Sequence, residues 1–123
     1  MAENNYDLTS LKACPDKPNC VSTVEKHLPA LKIQGDLAFV HSAIEKALKT
    51  FSNYKIVKQT NNYFHIEFTS SFFQFTDDLE LLIVEREGLI HCRSASRIGW
   101  SDLGVNKNRV KKLFAAIQAQ SPR

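Results

Sequence analysis

No apolar run in the 123-residue chain approaches the ~20 residues that a membrane-spanning helix needs, so no membrane span is expected. The opening residues, Met1-Ala2-Glu3-Asn4-Asn5-Tyr6-Asp7, lack the basic-then-apolar pattern of a secretion signal, and cytoplasmic residence is the resulting expectation. Neither sign of charge dominates: sixteen Lys and Arg stand against thirteen Asp and Glu, a net +3. A phosphate-backbone binder shows a concentrated basic face, so nucleic acid is not an expected partner. The tight basic cluster of Lys107, Arg109, Lys111 and Lys112 reads as the solvated face of a helix.

Cysteine is scarce as well. Three residues, an odd number without a leader, argue against a disulfide framework. Cys14 and Cys20 enclose five residues, more than the two to four of a structural zinc pair, and no second pair follows. Neither metal nor cofactor is expected. The pair could be bridged in an oxidising setting; in a cytosol both should be thiols. The serines lack a Gly-x-Ser-x-Gly elbow, the four histidines are scattered, and there is no repeat or low-complexity tract. Cys92 reads as a buried, unreactive thiol.

What the chain does have is bulk and periodicity. Eight Phe, three Tyr and one Trp in a 43% apolar composition suffice for one core. Residues 1–35 hold Pro15, Pro18 and Pro29 and read as an extended arm packed on the domain. Gly35-Asp36 offers a break and an N-cap, and Leu37, Val40, Ile44, Ala47, Leu48 and Phe51 recur at helical spacing. Four strands follow: Tyr54–Lys58, Tyr63–Thr69, Leu79–Glu85 and Leu89–Ser96. The connector Ser70–Asp78 carries Phe72, Phe73 and Phe75. A last helix spans Val105 to Ala119, with Val110, Leu113, Phe114 and Ile117 as its buried stripe and Asp102 or Ser101 as its cap. Consecutive strands joined by short hairpins and flanked by helices define an α+β domain with an antiparallel sheet, with its α-β-β-β-β-α core over residues 36–119. Phe64, Ile66 and Phe68 should face the helices.

The densest functional signal is the run Arg93-Ser94-Ala95-Ser96-Arg97-Ile98-Gly99-Trp100-Ser101-Asp102-Leu103-Gly104-Val105-Asn106-Lys107-Asn108-Arg109. A strand entering a Gly-punctuated loop and then a helix gathers backbone N–H groups near arginine forks that suit carboxylate or phosphate. The candidate ligand-binding residues are Arg93, Ser94, Ser96, Arg97, Ser101, Asp102, Asn106 and Arg109, with Asp77 and Asp78 from the preceding hairpin. Ion pairs and caps give the same composition without a site: Arg93 could pair with Asp77, Asp78 or Asp102, and Trp100 could be a core plug. Asp77 and Asp78 are adjacent on a strand, point to opposite faces and do not form a catalytic pair.

Three blocks resemble a known family. Cys14-Pro15-x-x-Pro18-Asn19-Cys20-Val21-Ser22, Phe72-x-x-Phe75-x-Asp77-Asp78 and Arg93-Ser94-Ala95-Ser96-Arg97-x-Gly99-x-Ser101-Asp102-Leu103-Gly104-x-Asn106-x-x-Arg109 are similar to the bacterial and plastid family called domain of unknown function 1499. Where that family often carries arginine after the Asn106 position, this chain has Lys107. The resemblance assigns no activity. It implies that the cysteine arm, the Asp77-Asp78 segment and the Arg93–Arg109 loop meet in space. The leading expectation is a non-enzymatic binding module, monomeric or weakly dimeric, for a small anionic or polar ligand or a protein partner at that loop. The alternatives are a hydrolase-like enzyme using Asp77, Asp78 or Asp102 with Arg93 or Arg97, and a scaffold or interaction protein.

Overall fold

A computed structural model describes residues 11–70, 74–100 and 102–120. Ser101, Phe72, Phe73, the first ten residues and the 121–123 tail lie outside the described residues.

The first helix, α1 (Leu37–Leu48), starts where Asp36 accepts the Phe39 backbone N–H at 2.8 Å. Its stripe of Val40, Ala43, Ile44, Ala47 and Leu48 is buried. Two arm strands precede it, β1 (Cys20–Ser22) and β2 (Leu31–Lys32). Four follow: β3 (Tyr54–Gln59), β4 (Tyr63–Thr69), β5 (Thr76–Val84) and β6 (Leu89–Ser96). The second helix, α2 (Val105–Gln118), closes the chain and buries Val110, Leu113, Phe114 and Ile117 with Asn106.

The sheet has six antiparallel strands in the order β1-β6-β5-β4-β3, with β2 on the same side of β6 as its own separate partner. The expected strand number of about four is therefore corrected upward. The two additions are three and two residues long, too short to show any alternation. They exist because the outer edge of β6 offers unpaired backbone groups: Val21 lies opposite Ser94, and Leu31 opposite Ile90. The arm is thus part of the sheet. β5 also starts earlier than its apolar run, at Thr76, because Asp77 and Asp78 pair with β4 on one side and β6 on the other.

Strand alternation then assigns faces. Phe64, Ile66, Phe68, Leu79, Leu81, Ile83, Ile90 and Cys92 join the helix stripes in one buried cluster. Each such side chain contributes about 1.5–3 kcal/mol by leaving water. On the far face, Leu11 packs with Leu82 and Val84, so the arm covers part of that side.

Candidate functional site

The Arg93–Ser96 segment splits by alternation. Ser94 and Ser96 face α2, while Arg93 and Arg97 project to the other face of the sheet.

On the helix side the centre is Asn106, fully buried in the first turn of α2. Its carbonyl oxygen accepts from the Ser94 hydroxyl at 2.5 Å and from Arg109 Nη1 at 3.1 Å. Guanidinium has no acceptor, so this contact fixes which end of the amide is oxygen. The amide nitrogen donates to Asp102 Oδ2 at 2.6 Å and Ser96 Oγ at 2.9 Å, and reaches the Asn19 carbonyl at 3.3 Å. Asn19 itself donates to the Gly99 carbonyl at 2.7 Å and accepts the Ser96 N–H at 3.0 Å. Arm, strand, loop and helix therefore meet on one side chain.

Asp102 organises the entry to α2. Its carboxylate accepts the Gly104 and Asn106 backbone N–H groups, both at 2.9 Å, and its own carbonyl accepts from Val105 at 3.1 Å. The position directly before the helix is Gly104, at φ 83, so Asp102 acts from two residues upstream of the formal cap. Burial pushes the Asp102 carboxyl upward, but the donors from Asn106 and Gly104 outweigh it and hold the group below the usual carboxylate range. An anion there also suits the positive end of the helix.

On the opposite face, Arg97 clasps Asp78 through Nε at 2.8 Å and Nη2 at 3.0 Å, and reaches Glu67 at 2.6 Å. His65 meets the same Asp78 carboxylate at 2.8 Å. The Arg97 fork holds Asp78 low despite partial burial, with His65 adding to the effect, and the two carboxylates raise the guanidinium further. Arg93 has none of the three partners considered for it. It lies directly across from Glu80 in the sheet, on the same face, with the charged atoms 3.8 Å apart. Asp77 points to the other side, and Asp102 lies in the helix-side network. Among the described residues Arg93 Nε and Asn19 Oδ1 are buried without a hydrogen-bond partner. Tyr63 donates its hydroxyl to Glu80, and burial with that bond pushes the phenol upward. The alternation of β4 already sets Tyr63, His65 and Glu67 opposite the Phe64 face; cross-strand pairing adds Glu80 and brings these groups to the two arginines.

Asp77, on the helix side, pairs with Arg109 at 2.8 Å. The Arg109 guanidinium lies 4.8 Å over the Phe68 ring. Beside it runs an open groove of about 330 Å³ between Phe51, Phe68, Ser70, Val105, Arg109 and Lys112, with no carboxylate in its lining.

Cys14 and Cys20 form a disulfide, the bridged one of the two states that the sequence leaves open. The Pro15–Asn19 turn brings their Cα atoms to 5.7 Å, within the reach of the bond. Cys92 is buried, and burial raises its thiol. His91 is engaged by the Thr23 hydroxyl at 2.8 Å. Trp100 is exposed and does not plug the core. It flanks the disulfide turn instead, with Pro15, Pro18 and His27.

None of the curated proteins compared with the chain matches it. The model of the family described as "Protein of unknown function (DUF1499)" matches residues 10–117, nearly the whole of the fold built above, and the chain belongs to that family.

Proposed function

We propose that the chain is a non-enzymatic binding module that takes a small anionic or polar ligand in the groove between the 51–53 loop and the N-terminal half of α2. The observation that carries the reading is the groove itself: Arg109 and Lys112 are its charged lining residues, and serine, threonine and asparagine side chains supply hydrogen-bonding groups. Cations beside hydroxyls and an apolar wall suit a small anion with a short organic body.

The site shifts along the Arg93–Arg109 run toward its end. Arg97 is already occupied by two carboxylates, Arg109 is shared with Asp77 and Asn106, and Ser94, Ser96, Asp102 and Asn106 are spent on one another, so the exposed Lys112 is the cation on which the groove reading chiefly rests. The same occupancy weighs against a hydrolase. Asp78 and Asp102 are held below the usual carboxylate range and Asp77 is tied to Arg109, whereas a general acid needs a raised carboxyl. We place the molecule as a monomer or weak dimer. The cytoplasmic expectation sits poorly with the Cys14–Cys20 bridge, since disulfides persist in oxidising compartments. Thiol trapping in cells decides that point.

The experiment is a thermal-shift titration with inorganic phosphate and small carboxylates. A ligand at 100 times its Kd stabilises by about 2.7 kcal/mol. Stabilisation of the wild type that Lys112→Ala removes and Arg97→Ala leaves supports the groove. The reverse pattern moves the site to the sheet face. No shift with any anion returns the scaffold reading.

A further inference from the structure

The turn closed by the Cys14–Cys20 bridge is held to the sheet by little else. Residues 15–18 are exposed, and the one hydrogen bond they make among the described residues runs inside the turn, from the Lys17 N–H to the Pro15 carbonyl at 2.7 Å. Ahead of the turn, the Cys14 N–H donates to Glu25 Oε2 at 2.6 Å, in an exposed setting. A covalent bond across so short a loop removes most of its freedom, and reduction restores it.

The turn runs straight into Asn19, where the arm meets the rest of the fold. The Asn19 carbonyl accepts the Ser96 N–H at 3.0 Å and Asn106 Nδ2 at 3.3 Å. Asn106 in turn holds Arg109 Nη1 at 3.1 Å, and Arg109 lines the groove beside Val105 and Asn108. One residue, Asn106, therefore stands between the bridged arm and a cation of the groove.

This junction leans on the covalent loop. The 3.3 Å contact to Asn19 is the longest that Asn106 makes. Asn19 is only 4% exposed, yet its Oδ1 has no partner among the described residues. A buried acceptor without a donor opposes the closed arrangement, and opening to water relieves it.

The bridge is also within reach of solvent. An open hollow of about 680 Å³ has both cysteines in its lining, with Pro15, Pro18, His27 and Trp100. Cys14 is partly exposed, whereas Cys20 is buried on β1. A thiolate of a small dithiol therefore attacks the Cys14 sulfur. The S–S bond breaks, a mixed disulfide forms at Cys14, and Cys20 leaves as a thiolate that takes up a proton. The second thiol of the reductant, losing its proton, then displaces Cys14, which is protonated in turn. Two electrons and two protons pass to the bridge, and the dithiol departs as its own disulfide. Cys92 is buried and takes no part.

We infer that the Cys14–Cys20 bridge is a redox clasp: closed, it holds Asn19 against Asn106 and orders the entry to α2; reduced, it releases that entry and weakens anion binding in the groove. The second half rests on the groove reading above, and the first half stands without it.

Amide hydrogen exchange tests the clasp, and titration with inorganic phosphate tests its consequence. Both use the full chain with and without dithiothreitol. Reduction should accelerate exchange at the Ser96 and Asn106 amides by about tenfold or more beyond the change at the β4 and β5 amides, which sense only the global loss of stability. Phosphate affinity by isothermal titration should fall about three- to tenfold, the worth of one hydrogen bond, and recover on reoxidation with oxidised glutathione. Cys14→Ser with Cys20→Ser should behave as the reduced protein and ignore dithiothreitol. Acceleration shared equally by Ser96, Asn106 and the β4–β5 amides overturns the inference, since a bridge that merely stabilises moves them all together. Phosphate binding that is unchanged or tighter in the reduced protein overturns it as well. Local acceleration with no phosphate binding in either state removes the groove and upholds the clasp.

Discussion

The Asn106 side chain reaches the main-chain carbonyl of Asn19 at 3.3 Å, across 87 positions of sequence. Through that contact the first turn of α2 is bound to the disulfide arm, and both are bound to β6 by Ser94 and Ser96. The loop between β6 and α2 takes its shape from this junction.

Asn106→Ala should therefore be among the most destabilising polar substitutions in the chain. It leaves the Ser94 hydroxyl, the Arg109 fork and Asp102 short of a partner in a buried setting. The expected loss is about 3 kcal/mol, read as a lower denaturant midpoint at unchanged slope.

Acid should loosen the far face of the sheet. Asp78 has a folded-state pKa depressed below its ordinary 3.8 by the Arg97 fork, with His65 assisting. A depressed carboxylate contributes stability that is fully present above the unfolded value and is lost as pH falls through the folded one. Stability should thus drop below about pH 4, and Asp78→Asn should flatten that part of the curve. A wild-type-like acid limb in Asp78→Asn, measured by urea denaturation across pH, would count against the Arg97 clasp.

The thiols give a separate test. With three cysteines and one bridge, the native oxidised protein should titrate no thiol, because Cys92 is buried and its thiol raised. Unfolding should release one, and unfolding with reduction three. Reducing the short loop should lower stability by about 2 kcal/mol, seen as a fall in Tm with dithiothreitol that Cys14→Ser with Cys20→Ser reproduces.

Arg109 and Lys112 should differ in kind. Arg109→Ala strands Asp77 and uncovers Phe68, so it should cost about 3 kcal/mol as well as any phosphate response. Lys112→Ala is exposed and should change stability by less than about 0.5 kcal/mol while removing that response. Isothermal titration beside thermal melts separates the two.

Much of the fold was legible because it rests on periodic burial. The α1 and α2 stripes and the Phe64/Ile66/Phe68 face could be read from spacing alone, as could the Asp36 cap. β1 and β2 could not, since pairing with β6 and not their own pattern makes them strands. The site divided in the same way. Composition located the Arg93–Arg109 run, and strand parity put Asp77 and Asp78 on opposite faces. The same parity puts Arg93 on the face of Glu80, its cross-strand neighbour, which only the pairing of β5 with β6 identifies. The exposure of Trp100 had no local signal, because an aromatic residue reads the same in a core and on a rim. Next to it, the Gly99 carbonyl is held by Asn19, eighty positions earlier in the chain.

β3 is one border of the sheet, and its pairing with β4 slips between Ile56 and Lys58, leaving Val57 as a bulge. Lys55 and Lys58 stand exposed on the same strand. An interrupted, lysine-bearing border is a poor template for another extended chain. The molecule is thus guarded against growing by strand addition at its β3 border, and contacts that it makes with copies of itself or with other chains are steered away from that border.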